Sequence, residues 1–470
     1  MAIQHYSKPG FNPYGDDAPI DESSSWPAPH SNVALSATLS LPGSKSQTNR
    51  ELVLAALADG PSQLRAPLHS RDSALMIEAL RNLGVGIREE GDGPFGPSLV
   101  VHPAQELLGS TSIDCGLAGT VMRFVPPLAG LALGPTTFDG DEYARNRPMG
   151  GTIQALLALG VDVACDRPDR LPFTVHGRGE IAGGSISIDA SASSQFVSGV
   201  LLAAPRFANG VELRHSGERL PSLPHIEMTI AALRARGVRV EVPEAGYWIV
   251  HPGPIAARDT VIEPDLSNAA PFLAAALVTG GSVTVLDWPN QTTQVGNDLL
   301  DYLPRMGATV SRDGGRVTVS GDGRIRGVDL DLSTGGELAP TLVALAALSD
   351  EPSQFHGIGH IRMHETDRLA ALVAEINGLG GNARELEDGI AIEPAELHGG
   401  LWHSYADHRM AMSGALIGLR VAGVEVDDIG ATSKTLPQFT QLWNAMFGAQ
   451  ASAHAASAQP VVDDRAIGGE

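Results

Sequence analysis

Six short clusters contain most of the side chains in this chain that could do chemistry. They are Leu41–Arg50 (LPGSKSQTNR), Asp114–Arg123 (DCGLAGTVMR), Arg145–Met149 (RNRPM), Ser191–Gln195 (SASSQ), His364–Leu369 (HETDRL) and Tyr405–Met412 (YADHRMAM). Most of them precede or open an apolar run that predicts a buried helix. The first turn of a helix has unpaired N–H groups and a partial positive charge, so converging helix starts bind anions. The pattern therefore predicts a site for phosphates or carboxylates.

Fixed charges recur at corresponding positions of these clusters and of the loops near them. The cations are Lys45, Arg50, Arg147, Arg368, Arg409 and Lys434, and the carboxylates are Glu337 and Glu365. Cations suit phosphate and carboxylate ligands, and a carboxylate can serve as a general acid or base. Asp407, His408 and Arg409 precede an almost wholly apolar helix, where buried charge is costly without a partner. Together these residues favour a catalytic anion site.

Each cluster taken alone also fits a structural role. Ser44 or Ser46 could cap a helix beside two solvated cations, and Ser191–Gln195 and Ser222 could be simple caps rather than contacts to a hydroxylated ligand. Glu365–Arg368 could be a capping box with a surface ion pair. The Leu41–Arg50 cluster is not a Walker loop, because the Gly-X-X-X-X-Gly-Lys pattern is absent.

The elements that must position these clusters recur six times. Apolar runs begin about 70 residues apart, longer than usual solenoid periods, at Arg50, Thr120, Gln195, Ala269, Leu338 and Met410. Amphipathic helices are predicted at Asp72–Leu83, Gly151–Leu159, His225–Arg236, Gly296–Met306, Arg368–Leu379 and Thr435–Met446. Left-handed glycine caps followed by strands are predicted at Gly84, Gly160, Gly237 and Gly307, with a further cap at Gly380.

Six units that mix strands and helices predict an α/β fold, with the apolar helices buried and the amphipathic ones facing solvent. Two pseudo-threefold lobes of three units each are the simplest closed arrangement. The boundary then falls near Pro264, midway through the six units. Periodicity alone leaves a single long solenoid open. Residues 1–32 and 449–470 are expected to be disordered tails.

Composition excludes several classes of function. The 470 residues are 43% hydrophobic and carry 32 Lys plus Arg against 54 Asp plus Glu, a net charge of −22, which argues against nucleic-acid binding. The two cysteines, Cys115 and Cys165, fit a reducing compartment, and no metal-binding pattern is present. Without a recognisable signal peptide or a long apolar span, we expect a cytoplasmic protein with no membrane partner.

The ordered set of motifs resembles the 5-enolpyruvylshikimate-3-phosphate (EPSP) synthase family between about Leu41 and Phe447. The pieces that carry the resemblance are Gly43–Ser46 with Asn49–Arg50, Ala118–Arg123, Arg147–Pro148, Ser193–Gln195, Glu365–Arg368, Asp407–Met412 and Ser433–Thr435. The resemblance implies a two-lobed fold of six βαβαββ units that closes on its substrates, with residues 44–263 in one lobe and 33–43 plus 264–448 in the other. It also implies enolpyruvyl transfer from phosphoenolpyruvate to the 5-hydroxyl of shikimate 3-phosphate, by a monomer without metal or organic cofactor.

The resemblance further implies the roles of individual residues. Shikimate 3-phosphate would be held by Lys45, Ser46, Arg50, Ser193, Ser194, Gln195, Ser222, Glu337 and His364. Phosphoenolpyruvate would be held by Lys45, Gly119, Arg147, Gln195, Arg368, Arg409 and Lys434. Glu337 is the candidate base for the substrate hydroxyl, and Glu365 and Lys45 are candidates for proton transfer at the methylene.

Four positions depart from the pattern familiar in the family. Glu337 stands where many relatives have Asp, and His364 stands where many have Lys, which predicts a pH-sensitive substrate contact near neutrality. Leu117 and Phe124 replace an Asn and a Pro beside the phosphoenolpyruvate pocket. With Gly119 retained, glyphosate is expected to bind there.

Two other functions remain possible from the sequence. The UDP-N-acetylglucosamine enolpyruvyl transferases share the repeats but have Gly-Ser-Lys-Asn-Ala in the first cluster and a cysteine in an active-site loop. Here the cluster is Gly-Ser-Lys-Ser, and Cys115 is expected to be a buried structural thiol. A non-catalytic sugar-phosphate-binding protein would use the cations and hydroxyls but would not need Glu337 and Glu365.

Overall fold

The computed structural model describes residues 25–447, which form six small sheets with helices packed between them. The strands are β1 Trp26–Pro27, β2 Ser36–Leu39, β3 Ser62–Arg65, β4 Gly86–Glu90, β5 Ser98–His102, β6 Thr111–Asp114, β7 Leu133–Asp139, β8 Asp162–Cys165, β9 Phe173–Arg178, β10 Gly184–Ile188, β11 Val211–His215, β12 Val240–Glu244, β13 Tyr247–Val250, β14 Thr260–Val261, β15 Ser282–Val285, β16 Thr309–Asp313, β17 Arg316–Ser320, β18 Asp329–Asp331, β19 Ser353–His356, β20 Asn382–Leu386, β21 Gly389–Glu393, β22 Gly400–Trp402 and β23 Val424–Val426. The α-helices are α1 Lys45–Ala56, α2 Arg71–Asn82, α3 Gly119–Gly130, α4 Gly150–Ala158, α5 Gln195–Ala203, α6 Leu223–Ala235, α7 Ala269–Thr279, α8 Leu299–Arg305, α9 Ala339–Ala346, α10 Arg368–Gly378 and α11 His408–Gly418, followed by a helix over residues 439–447.

One repeating unit has the order βαβαββ. In the second unit, β6 pairs in parallel with β7 across the buried helix α3, and the later strands β8 and β9 add in antiparallel. The sheet order is therefore β6-β7-β9-β8, and the sheets β10-β11-β13-β12 and β18-β19-β21-β20 repeat it. The predicted α/β fold of six repeats is confirmed.

Two strands belong to sheets far from them in sequence. The strand β2 pairs in parallel with β15, so the N-terminal segment completes the fourth unit. In return, β14 pairs in parallel with β3 and completes the first unit. The two crossing segments lie side by side, since the Ser44 amide donates to the Glu263 carbonyl at 2.7 Å and the Asp265 amide donates to the Pro42 carbonyl at 2.9 Å.

The burial of the helices follows their composition. Every residue of α3, α9 and α11 is buried, whereas α2 buries one face and exposes the other, as the sequence predicts. The five predicted glycine caps are confirmed, with φ of +92°, +82°, +79°, +107° and +87° at Gly84, Gly160, Gly237, Gly307 and Gly380. Two helices begin later than expected: Val295–Asp298 is a 3₁₀ turn before α8, and the last helix starts at 439.

The buried apolar side chains form two separate clusters. The first core draws on residues from Leu52 to Ile255. The second core draws on Ala28–Leu41 and on residues from Leu266 to Met446. Within residues 25–447 the chain passes between the two cores only at the crossing segments around Pro42–Ser44 and Glu263–Asp265, which leaves room for a cleft.

The expected N-terminal tail differs from the structure over its last residues. Trp26–Pro27 pairs in antiparallel with β23 and extends the sheet of the sixth unit, so residues 25–32 belong to the folded part. The short, proline-containing stretch gives no sequence signal for a strand, because its partner lies about four hundred residues away. The rest of that tail and the expected tail at 449–470 lie outside the described residues. Within residues 25–447, no helix is long and apolar enough to cross a membrane.

Candidate active site

A cleft lies between the two cores, and its space measures about 900 Å³ when the solvent at its open mouth is included. The first wall comprises the lining residues from the first half: Ser44, Lys45, Ser46, Thr120, Arg123, Arg147, Ala192, Ser193, Gln195, His225 and Met228. The second wall comprises those from the second half: Asp265, Ser267, Gln294, Val295, Glu337, Met363, His364, Glu365, Arg368, His408, Arg409 and Thr435. Ten of the predicted site residues line this cleft: Lys45, Ser46, Arg147, Ser193, Gln195, Glu337, His364, Glu365, Arg368 and Arg409.

Several helices begin at the cleft, as the sequence predicts. Lys45, Gln195, Arg368 and His408 are the first residues of α1, α5, α10 and α11. Ser44 caps α1, while Asp367 and Asp407 cap α10 and α11. Since each of these helices turns its N-terminal end toward one space, their partial positive charges add there and favour an anionic ligand.

Glu365 is the centre of a buried ion network in the second wall. Its Oε1 accepts from Lys434 Nζ at 2.6 Å, its Oε2 accepts from Arg368 Nη2 at 2.8 Å, and Arg147 Nη1 lies 4.0 Å away. Burial by itself would raise the pKa of Glu365, but Lys434, Arg368 and Arg147 together hold it well below its ordinary value. Without a ligand, Glu365 is therefore ionised.

Asp407 holds Arg368 with two hydrogen bonds. Arg368 Nε donates to Oδ2 at 2.7 Å and Nη2 donates to Oδ1 at 3.1 Å, and both side chains are buried. This pairing supplies the partner that a buried Asp407 requires, and the bidentate geometry fixes the guanidinium plane. The ion pair between Glu365 and Arg368 is also buried. The alternative interpretation of this cluster, a surface ion pair with a structural role, is therefore wrong.

His364 differs from the expectation of a pH-sensitive contact near neutrality. Arg368 Nη1 lies 3.0 Å from His364 Nδ1, and an arginine can only donate, so Nδ1 is unprotonated. Burial lowers the pKa of His364 well below its ordinary value, and the Arg368 charge lowers it further. His364 is therefore neutral at physiological pH, and its titration falls at lower pH.

The first wall presents guanidinium groups whose close partners are backbone carbonyls. Arg147 Nη1 donates to the Leu117 carbonyl at 3.0 Å, and Arg123 Nη2 donates to the Pro148 carbonyl at 2.8 Å. The Nε atoms of both arginines are buried without a hydrogen-bond partner. Burial lowers the pKa of Arg123 well below its ordinary value, and the neighbouring charge of Arg147 lowers it further. A bound anion would relieve this repulsion and supply the missing acceptor.

Gly119 lets three side chains of the first wall meet. A Cβ atom there would lie 2.9 Å from Arg123 Nη1 and 3.0 Å from both Arg147 Nη2 and Gln195 Oε1. The Oε1 of Gln195 is also buried without a hydrogen-bond partner. Any residue larger than glycine would displace these groups, so the retained Gly119 keeps a polar pocket open.

Glu337 lies where the two walls meet. Its Oε1 accepts from Ser267 Oγ at 2.6 Å, and its Oε2 lies 2.6 Å from Nε2 of His225 on the opposite wall. Burial by itself would raise the pKa of Glu337, but His225, Arg409 and the Ser267 hydrogen bond lower it below its ordinary value. An ionised carboxylate in a cleft is the form that a general base requires.

Lys45 is fixed at the start of α1 beside a buried acid. Its amide donates to Asp265 Oδ2 at 3.0 Å, and its Nζ lies 3.3 Å from Asp72 Oδ2. That oxygen of Asp72 has no hydrogen-bond partner, so the contact is a charge pair without hydrogen-bond alignment. The ammonium group remains available to a ligand in the cleft.

Five predicted site residues do not line the cleft. They are Arg50, Gly119, Ser194, Ser222 and Lys434. Lys434 lies directly behind Glu365 and also donates to the Leu117 carbonyl at 3.1 Å. Arg50 is buried and donates to Thr229 Oγ1, to the Ser46 carbonyl and to the His225 carbonyl. Each of its three nitrogens thus donates within the protein, and three of the five N–H groups are used.

Sequence reasoning missed several residues that complete the site. His225 and Ser267 contact Glu337, and Arg123 faces the same pocket as Arg147. Arg123 stands in a quoted cluster, and the signal for it was a charged residue near the start of a buried helix. The backbone carbonyl of Leu117 joins Arg147 to Lys434, and no side-chain pattern could have predicted that contact.

Cys115 is buried and does not line the cleft. Burial raises the pKa of its thiol, and the nearby Asp114 raises it further, so the thiol stays protonated and unreactive. The position and protonation of Cys115 match the expected structural thiol and disfavour a cysteine-dependent enolpyruvyl transferase.

Comparisons with known proteins agree with this geometry. Residues 29–443 match the family model described as EPSP synthase (3-phosphoshikimate 1-carboxyvinyltransferase). A protein of Kocuria rhizophila named 3-phosphoshikimate 1-carboxyvinyltransferase is 54% identical over 431 residues, covering 90% of this chain and 97% of the relative.

Solved structures share the fold. Two structures of EPSP synthase from Acinetobacter baumannii are similar with TM-scores of 0.73 and 0.72, at 24% and 23% identity. The matches cover 90% of this chain and 97% and 98% of those chains. The chain therefore belongs to the EPSP synthase family.

Proposed function

We propose that this protein transfers the enolpyruvyl group of phosphoenolpyruvate to the 5-hydroxyl of shikimate 3-phosphate and releases phosphate. The observation that carries this is a cleft that pairs an ionised carboxylate, Glu337, with two arginines, Arg123 and Arg147, whose buried Nε atoms have no hydrogen-bond partner. Family membership supplies the substrates, because the 54%-identical relative bears the name of this activity. The reaction belongs to the shikimate pathway of aromatic amino-acid biosynthesis.

Phosphoenolpyruvate is assigned to the pocket around Gly119. Lys45, Arg147, Gln195, Arg368, Arg409 and Lys434 would hold it together with Gly119, and Arg123 is added by its position. The buried Nε atoms of Arg123 and Arg147 provide donors that a carboxylate or phosphate can satisfy. Arrival of that anion would also compete with Glu365 for Lys434 and Arg368.

Shikimate 3-phosphate is assigned to the space between α1, α5 and Glu337. Lys45, Ser46, Ser193, Gln195, Glu337 and His364 line it and offer charge, hydroxyl and amide groups. Ser194 and Ser222 directly precede α5 and α6 but do not line the cleft, and we propose that they contact the ligand as well. For Arg50 we propose an indirect role, because it is buried outside the cleft lining and each of its nitrogens donates within the protein.

The reaction requires a proton to leave the 5-hydroxyl and a proton to reach the methylene of phosphoenolpyruvate. Glu337 takes the hydroxyl proton as the oxygen attacks the central carbon, and loss of phosphate with a proton from the new methyl group restores the double bond. Lys45 and Glu365 remain the candidates for the methylene proton. Glu365 is held ionised by three cations, so it must first gain a proton, whereas a charged Lys45 already carries one.

A phosphate-release assay with phosphoenolpyruvate and shikimate 3-phosphate tests the function. We expect turnover that needs both substrates, with enolpyruvylshikimate 3-phosphate as the product by mass spectrometry. UDP-N-acetylglucosamine replaces shikimate 3-phosphate in a parallel reaction. Turnover with that acceptor alone, or binding of both anions with no phosphate release, would overturn the proposal.

Glyphosate provides a second test of the phosphoenolpyruvate pocket. Its carboxylate and phosphonate fit the donors gathered around Gly119, so we expect inhibition that is competitive with phosphoenolpyruvate. Leu117 and Phe124 lie beside this pocket and depart from the family pattern, so the inhibition constant for glyphosate has to be measured. A rate unaffected by millimolar inhibitor would contradict this assignment of the pocket.

We further propose lobes at residues 44–263 and at 33–43 plus 264–448, which the two cores and the crossing segments support. Closure of the lobes would exclude water and strengthen each charge contact. A monomer acting in the cytoplasm is the state that the family resemblance favours. Light scattering of the purified chain tests it, and a dimer mass would contradict it.

A further inference from the structure

Glu337 is held from both sides of the cleft. Ser267 of the second wall donates to Oε1, and His225 of the first wall contacts Oε2, each at 2.6 Å. The His225 contact joins residues 112 apart in sequence and brings the two walls together at the proposed base. Without His225, only one of the two carboxylate oxygens would keep a hydrogen-bond partner of this kind.

We propose that His225 is a positioning residue for the base: it donates from Nε2 to Glu337 and completes the reactive carboxylate only when the two walls meet. The proposal rests on the proposed function of Glu337. An ionised carboxylate can only accept hydrogen bonds, so Nε2 of His225 carries the proton at this distance. The hydroxyl proton then goes to a remaining lone pair of the same carboxylate.

The backbone around His225 is built to aim its side chain. His225 is the third residue of α6, after Ser222 in a left-handed conformation with φ of +53°. Its carbonyl accepts from Arg50 Nη2 at 2.9 Å and from Thr229 Oγ1 at 3.0 Å. Arg50 thereby links α1 to the start of α6 and acts on the base through His225 rather than through substrate.

The charge environment explains why His225 matters for protonation as well as orientation. The groups that act on Glu337 besides His225 and Ser267 are Arg50, His360, Arg368 and Arg409. Burial opposes ionisation of Glu337, and the charge and hydrogen bond of His225 are the largest influences that lower its pKa. Loss of His225 should therefore raise the pKa of Glu337. As the pH falls, the carboxylate should then become protonated, and inactive as a base, at a higher pH than in the wild-type protein.

Two substitutions separate the N–H donor from the aromatic ring. His225→Gln keeps an N–H donor, and His225→Phe removes it while keeping an aromatic ring. We expect kcat to fall about tenfold or more in the Phe variant and less in the Gln variant, because a misplaced base loses proton-transfer efficiency. The KM for shikimate 3-phosphate should change by less than about threefold, and the acid limb of kcat should move to higher pH in both variants.

His251→Gln is the matched control. His251 pairs with Glu241 at 2.8 Å near the surface of the same half of the chain and does not line the cleft, so its replacement should leave both kcat and the pH profile unchanged. Circular dichroism and the urea midpoint report whether each variant folds. If the Phe variant fails to fold, the pH shift in the Gln variant decides.

A second readout does not depend on turnover. The His225 ring signals are compared in ¹⁵N-labelled wild-type protein, Glu337→Gln and Glu393→Gln. They should change in Glu337→Gln and should match the wild type in Glu393→Gln, because Glu393 is an exposed residue of β21. An unchanged His225 signal in Glu337→Gln, or wild-type kcat and acid limb in both His225 variants, would overturn the inference. Failure of the wild-type protein to turn over would instead overturn the proposed function, while the signals still test the contact.

Discussion

The two walls of the cleft stabilise their buried charged side chains in different ways. In the second wall the charges are compensated internally, because Glu365 is bound by Lys434 and Arg368, and Arg368 is bound in turn by Asp407. In the first wall, Arg123 and Arg147 have carbonyl groups as their close partners, and their Nε atoms have none. Carboxylates line the second wall but not the first.

This difference suggests that the second wall serves the reaction and the first wall serves substrate binding. A network that is complete without ligand keeps its geometry before substrate arrives, which suits groups that must be aligned for proton transfer. Donors without partners gain most when an anion enters, which suits groups that provide affinity. We therefore expect substitutions in the second wall to affect kcat or folding, and substitutions in the first wall to affect substrate affinity.

The largest expected effect follows from Glu337→Gln. The amide cannot accept the hydroxyl proton, so kcat should fall by about 10²- to 10⁴-fold while the KM of each substrate changes little. Initial-rate kinetics measure both constants. Glu393→Gln is the control, because Glu393 is exposed on β21 and lies outside the cleft. Near-normal turnover of Glu337→Gln would contradict the assignment of Glu337 as the base.

A comparable effect on folding is expected for Asp407→Asn. The substitution leaves the buried Arg368 without its bidentate partner, and losing one member of a buried ion pair costs about 3–5 kcal/mol of unfolding free energy. Urea denaturation measures the loss. Asp322→Asn changes an exposed acid of the second half as a control. Equal stability of the two variants would show that the second wall does not depend on its internal pairing.

A smaller effect, mainly on affinity, is expected for Arg147→Gln. Removing a charge-assisted contact to the ligand should cost about 1.5–3 kcal/mol, which corresponds to a KM for phosphoenolpyruvate raised about 10- to 100-fold. The nearby Arg145→Gln is the control, since Arg145 pairs with Asp139 at the surface. A fall in kcat with an unchanged KM would contradict the division between the walls.

Local sequence patterns predict the repeated units well. The period of apolar residues predicts the buried helices, and five glycines in left-handed conformation end the amphipathic helices as expected. The exchange of β2 and β14 between sheets was not predictable in this way. An edge strand of two to four residues has no side-chain pattern that identifies its partner.

The site was predictable as a set of residues but not as a set of contacts. Helix starts rich in cations and hydroxyls marked Lys45, Arg147 and Arg409, which all line the cleft. The assignment of Arg50 to substrate followed from its place in a motif, whereas the structure turns its guanidinium toward α6. The contact between His225 and Glu337 depends on how the two halves pack, and no local pattern specifies it.

A crystal structure with shikimate 3-phosphate and glyphosate bound together tests the central claim most directly. We expect the ligands to bridge the walls, with glyphosate on Arg123, Arg147 and Gln195 of the first wall. The 5-hydroxyl of shikimate 3-phosphate should lie within about 3.2 Å of the Glu337 carboxylate. Ligands confined to one wall, or a hydroxyl out of reach of Glu337, would contradict the account.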